Sequence, residues 1–190
     1  MSYRRRKSTW ISLVLAILII AATQSGWLKD TAKNAQQNDP GLYTINHYVD
    51  GDTIAVNMNG SVETIRFIGV DTPETHKPNT PVQCYGPEAA AHTKAAISKF
   101  GKVRLQADPL DTNRDRYGRL LRYVYLPDGT LMDEQIIKQG YGFAYLSFPF
   151  SKKQQFAADQ KSAQDAKLGL WSACKPTVNQ YGGYSSNAAG

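Results

Sequence analysis

The sequence predicts an α+β fold that is mainly β, a small barrel of five short strands carrying three helices. Two observations point there. Three β-rich stretches in a row are joined by tight-turn dipeptides, which calls for consecutive antiparallel hairpins. The order that follows is a helix, two more strands and two further helices. It lacks the strand-helix alternation of a parallel α/β sheet. A chain of 190 residues has room for one such core but hardly for two.

The elements follow in order. Leu42 to Val49, Thr53 to Met58 and Val62 to Val70 are the first three strands, linked by "DGD" and "NGS". In "RFIGVDTPET" the third strand breaks where Pro73 lacks a donor and biases Thr72 toward an extended conformation. "PEAAAHTKAAISKF" puts Pro87 at a helix N1 position and Glu88 in the first turn, with Ala90, Thr93, Ile97 and Phe100 at helical spacing. Strands at Lys102 to Ala107 and Leu120 to Leu126 come next, then a helix from Leu131 to Gln139 that Gly140 ends. The last helix lies in "SKKQQFAADQKSAQDAKLG". Five short strands with an inserted helix suit a closed or partly open barrel of the oligonucleotide-binding (OB) type.

The flanks differ from this domain of residues 42–175. Arg4, Arg5, Arg6 and Lys7 precede an uncharged apolar run from Trp10 to Trp27. This layout predicts export by a hydrophobic segment, residues 1–27, that is either a cleaved signal peptide or a retained N-terminal membrane anchor. The protein is then secreted or tethered to the outer face of the cytoplasmic membrane. Residues 28–41 read as a polar linker, and 176–190 as a disordered tail with little to bury. No internal repeat is present.

Net charge is +6, yet of 22 Lys and Arg four lie in Arg4–Lys7, leaving 18 against 16 Asp and Glu, a net of +2. Bulk charge therefore gives little support for an anionic partner, and placement must carry that argument. Cys84 and Cys174 are the two cysteines. In an oxidising compartment they make one disulfide, whose span of about 90 residues would contribute ~4 to 5 kcal/mol by the loop-entropy account. Two buried free thiols are the alternative. Zinc is disfavoured, because neither cysteine has a CxxC partner and His47, His76 and His92 show no ligand spacing.

Charged groups collect at strand exits: Asp50 and Asp52 in "VDGDT", Arg66 with Asp71 and Glu74, and Asp115 with Arg119 in "DRYGR". Carboxylates with a nearby backbone carbonyl suit a hard cation such as calcium. Arginine forks suit phosphate oxygens, and a carboxylate outside the metal set can position water. Taken singly, each group is as well read as a hairpin turn or a solvated ion pair. Arg66 and Asp71, five apart, also point to opposite faces of a regular strand, unless Gly69 makes a bulge or bend.

Together "VDGDT", "RFIGVDTPET", "YGPEA", "DRYGR" and the late "GLW" resemble, in order and spacing, the staphylococcal nuclease (thermonuclease) family over about Leu42 to Trp171. The resemblance implies a five-stranded OB barrel with three helices. It also implies a calcium-dependent nuclease that cuts DNA and RNA with broad specificity, leaving 3′-phosphate ends. By the same resemblance Asp52, Asp71 and the Thr72 carbonyl would hold calcium, Glu74 would act as general base or orient the water, and Arg66 and Arg119 would bind the phosphate. Asp115, Tyr117 and Tyr145 match positions near the nucleotide. Ser147 stands where the family has a second tyrosine, and the cysteine pair lies outside the family pattern. No feature calls for an obligate protein partner. The alternative is an OB module that binds single-stranded nucleic acid without cutting it.

Overall fold

A computed structural model describes residues 41–75, 81–180 and 182–189. The readings for residues 1–27 and 28–41 fall outside these apart from Gly41, and all elements below belong to the unit Leu42–Gly190. They are, in order, β1 (Leu42–Tyr48), β2 (Thr53–Met58), β3 (Ser61–Phe67), β4 (Val70–Asp71), α1 (Gly86–Ser98), β5 (Lys102–Gln106), β6 (Leu120–Tyr125), α2 (Met132–Lys138), β7 (Phe143–Ala144), α3 (Lys153–Asp165), α4 (Leu170–Ala173), β8 (Thr177–Val178) and β9 (Tyr184–Ser185).

The two predicted hairpins form. Asn59 and Gly60 both take positive φ, 51° and 82°, as a two-residue turn matched to strand twist requires. β1, β2, β3, β6 and β5 close into a barrel in that order, so no barrel strand is left with a free edge. One pairing departs from an all-antiparallel reading. β3 runs parallel to β6, with Arg66 opposite Leu121, because the chain leaves β3, passes through α1 and β5, and returns along the other side. Local turn signals say nothing about a partner so distant in sequence.

The core in and around the barrel is built from Ile54, Val56, Ile65, Phe67, Val103, Tyr123 and Val124, all buried, together with Ile97 of α1 and Ile136 and Ile137 of α2. The buried face of α1 is Gly86, Ala89, Thr93 and Ile97. The periodic set therefore begins at Ala89 rather than Ala90, and Phe100 is an exposed residue beyond the helix.

The C-terminal stretch differs from the expected disordered tail. β8 and β9 pair antiparallel, and Tyr184 packs edge-on to Trp171 at 5.1 Å and stacks with Phe143 at 6.0 Å. The composition read as poor in core residues, but one tyrosine meeting a small aromatic group is enough to seat β9. A disulfide joins Cys84 to Cys174 across 90 residues, with Cα atoms 5.9 Å apart.

Candidate active site

The rim of the barrel at the β2–β3–β4 corner collects most of the charged residues singled out above. Asp52 stands one residue before β2, and its carbonyl accepts the Phe67 N–H at 2.9 Å, which extends the β2–β3 ladder and fixes its direction. Gly51 precedes it because a Cβ there would fall 2.8 Å from the Thr72 side chain. The Gly51 carbonyl in turn accepts the Thr93 hydroxyl of α1 at 2.6 Å, tying the turn to the helix.

The Asp52 carboxylate is buried, which is costly unless each oxygen is satisfied. Oδ1 accepts the Thr53 hydroxyl at 2.9 Å. Oδ2 accepts the Thr72 N–H at 2.8 Å and the Thr72 hydroxyl at 3.1 Å, and pairs with Arg66 Nη1 at 3.0 Å.

The geometric difficulty between Arg66 and Asp71 is resolved by Gly69. Its φ of +70° turns the chain sharply between β3 and β4, and a Cβ at that point would lie 2.6 Å from the Phe150 ring. The turn brings Asp71 back, so that Arg66 Nη2 reaches Asp71 Oδ1 at 2.9 Å. Arg66 Nη1 also donates to the Val70 carbonyl at 2.7 Å. Burial pulls the Arg66 guanidinium pKa down, but the charges of Asp52, Asp71, Asp50 and Glu74 override it and hold the pKa above its ordinary value. Four carboxylates thus act on one buried cation. The surplus appears at Asp50, whose pKa is pushed up to about 7 by burial and then by the adjacent Asp52 charge, against the opposing pull of Arg66.

Glu74 follows Pro73 on irregular backbone. Its N–H donates to Gln83 Oε1 at 2.8 Å, and its carbonyl accepts the Gln83 N–H at 2.9 Å.

A second group forms on the loop leading into β6. Arg119 Nε donates to Asp115 Oδ2 at 2.7 Å, and Asp115 Oδ1 accepts the N–H groups of Tyr117 and Arg119. Burial raises the Asp115 carboxyl pKa, but these donors win and hold it below the usual range. Tyr117 is 68% exposed, with the Arg116 and Arg119 guanidinium groups 4.8 and 5.5 Å from its ring centre. Arg119 sits two residues before Leu121, the partner of Arg66 across the parallel pair. Strand alternation continued to that point places both arginines on one face.

Tyr145 follows β7, which pairs with β4, and its N–H donates to the Gly69 carbonyl at 2.8 Å. It is partly exposed, and the exposed Phe148 lies 5.7 Å away, ring centre to ring centre.

Asp52, Thr72, Asp71 and Arg66 are therefore in direct contact, and Glu74 lies within their field. Asp115, Tyr117 and Arg119 form a neighbouring group of their own. Both guanidinium groups are engaged by carboxylates rather than presented bare. Gln83 and Phe148 carried no sequence signal, since one belongs to a polar loop and the other to an apolar run. Among the described residues no three or more His, Cys, Asp and Glu side chains gather as a metal site.

A closed five-stranded barrel with acids and arginines at its rim defines a class, the OB barrel with a charged mouth. Residues 64–173 match the family described as staphylococcal nuclease homologues. The chain is 39% identical over 174 residues to the thermonuclease of Staphylococcus hyicus, an alignment covering 88% of this chain and 99% of that one. It is 45% identical over 131 residues to the SPbeta prophage-derived endonuclease YokF of Bacillus subtilis, covering 68% of this chain and 43% of the relative. With endonuclease YncB of the same organism the identity is 44% over 139 residues, covering 72% and 64%. The matched region thus spans less than two thirds of either Bacillus protein. The chain belongs to the staphylococcal nuclease family.

Proposed function

We propose that this protein is a nuclease that hydrolyses phosphodiester bonds in DNA and RNA with broad specificity, requires calcium and leaves 3′-phosphate ends. The observation that carries the reading is the acidic corner itself, where Asp50, Asp52, Asp71 and Glu74 all act on the single buried guanidinium of Arg66. The local excess of negative charge fits an oxygen-seeking divalent cation. Asp52, Asp71 and the Thr72 carbonyl would hold it. When bound, calcium polarises a phosphoryl oxygen.

The chain's own groups do the rest. Glu74 orients the attacking water, its backbone held from both sides by Gln83. Arg66 and Arg119 grip the scissile phosphate and neutralise the charge that grows on it, each exchanging a carboxylate partner for a phosphate oxygen. Tyr117 and Tyr145 offer aromatic faces to the nucleotide, with Asp115 holding the Tyr117 loop. Export, with the protein secreted or kept at the outer face of the membrane, is part of the same proposal. The Cys84–Cys174 disulfide supports it, since such bonds persist in oxidising compartments.

The test is incubation of the purified protein with plasmid DNA and with RNA, in calcium and in excess chelator, followed by analysis of the product ends. Cleavage in calcium that the chelator abolishes, with 3′-phosphate products, is the expected result. Tight binding to single strands with no cleavage under either condition would instead favour a non-catalytic OB module.

A further inference from the structure

The segment 82–86 touches Glu74 on one side and residues 186–189 on the other. On the site side, the Gln83 side chain accepts the Glu74 N–H at 2.8 Å and the Gln83 N–H donates to the Glu74 carbonyl at 2.9 Å. Gly86, whose N–H donates to the Gln83 carbonyl at 3.0 Å, is packed so closely that a Cβ on it would lie 2.9 Å from the Glu74 carbonyl oxygen. On the far side, Cys84 N–H donates to the Asn187 carbonyl and Ala189 N–H to the Val82 carbonyl, both at 2.8 Å, with Gln83 opposite Ala188 in an antiparallel bridge. The Ser186 hydroxyl adds a bond to the Cys84 carbonyl at 2.8 Å. The disulfide from Cys84 to Cys174 fastens the same segment to the end of α4.

β4 ends at Asp71, and Pro73 contributes no N–H. The two bonds to Gln83 fix the peptide groups on either side of the Glu74 Cα and with them the root of its side chain, and a misplacement on the order of 1 Å in a water-orienting group costs ~100-fold in rate. We propose that Gln83 is a positioning residue for Glu74, and that the Cys84–Cys174 disulfide and the segment 186–189 hold Gln83 in that role, making turnover sensitive to the oxidation state of the two cysteines. The proposal rests on the reading of Glu74 as the residue that orients the water.

Gln83→Met keeps the length of the side chain and removes the acceptor. The experiment measures kcat and KM on a single-stranded oligonucleotide in calcium for Gln83→Met, for Glu74→Gln and for the double variant, with thermal melts of each. The same cycle is run with the Cys84→Ser/Cys174→Ser pair in place of Gln83→Met. Deletion of residues 186–190 repeats it without touching the cysteines, should the serine pair fail to fold. Gln83→Met is expected to lower kcat at least tenfold with KM within twofold of wild type, and to add nothing when Glu74 is already Gln. The serine pair or the truncation should lower kcat in the folded protein and be equally silent in the Glu74→Gln background.

Equal fractional losses with and without Glu74 would mean that Gln83 serves general structure, and would overturn the proposal. Wild-type kcat in folded Gln83→Met, or in both the folded serine pair and the truncation, alongside a slow Glu74→Gln, would overturn it alone. Wild-type kcat in Glu74→Gln would remove the role of Glu74, and the proposal with it.

Discussion

Arg66 and Arg119 read alike in the sequence, yet the protein houses them in opposite ways. Arg66 is buried at the corner of β2, β3 and β4, with its side chain 13% exposed and bonded to Asp52, Asp71 and the Val70 carbonyl. Arg119 stands on a loop, 30% exposed, with Asp115 as its carboxylate partner. The buried arginine is thus part of the fold as well as of the site, because without it the Asp52 carboxylate is left in a dry pocket without its cationic partner. The loop arginine can exchange its partner for a phosphate at small cost to the fold. One site therefore joins a rigid, charge-compensated half to an adaptable half, and the two should fail differently.

The sharpest way to break this comparison is Arg66→Ala. We expect it to abolish cleavage and to lower the free energy of unfolding by about 3 to 5 kcal/mol, the cost of breaking a buried ion pair from one side, read from urea denaturation. A variant as stable as wild type would show that Arg66 does not hold the corner together. Arg119→Ala should slow turnover about 100- to 1000-fold while changing stability by less than ~1 kcal/mol, since the guanidinium reaches solvent and Asp115 keeps its backbone N–H donors without it. Rate assays and denaturation on the same preparation check both halves of that statement.

A smaller effect concerns Asp133, on α2 behind the rigid half. Its carboxyl is fully buried, its Oδ2 accepts the Val124 N–H at 2.9 Å, and Oδ1 has no hydrogen-bond partner among the described residues. Burial pushes its pKa up to about 8, against the pull of backbone N–H groups and Arg66. The folded state therefore keeps a proton that the unfolded chain gives up near pH 4. Stability from this group is full below about pH 4, falls with full slope between about pH 4 and 8, and levels off above 8, where both states have lost the proton. Asp133→Asn should remove that decline, so that between about pH 5 and 7 wild type loses about 1.4 kcal/mol per pH unit relative to the variant and the two profiles run parallel again only above pH 8. Parallel pH profiles of unfolding for the two proteins between about pH 5 and 7 would contradict this.

Much of the frame was legible because it depends on local chemistry. Asn59-Gly60 specified its hairpin, the Pro87–Ile97 segment its helix, and Gly69 the bend that turns Asp71 toward Arg66. What escaped was non-local. The parallel pairing of β3 with β6 joins strands separated by a helix and two other strands, and nothing in either sequence marks the other. The ordered C-terminus depends on Tyr184 meeting Phe143 and Trp171, residues that come together only after the barrel and α4 are built. At the site, the identities Asp52, Asp71 and Arg66 stood out, but the depth at which Arg66 is held did not, because burial is decided by the surrounding elements. Gln83 was invisible for the same reason. A glutamine in a loop has no motif, and its role follows from meeting Glu74 across a turn.

The proposed function requires the acidic corner around Arg66 to bind the cation on which cleavage depends. The most direct measurement is the calcium dependence of cleavage rate for wild type and Asp71→Asn, a substitution at a partly exposed carboxylate that leaves the buried Asp52–Arg66 pair in place. The account predicts that half-saturation moves to at least tenfold higher calcium in the variant. Superimposable calcium curves, with equal maximal rates, would contradict it.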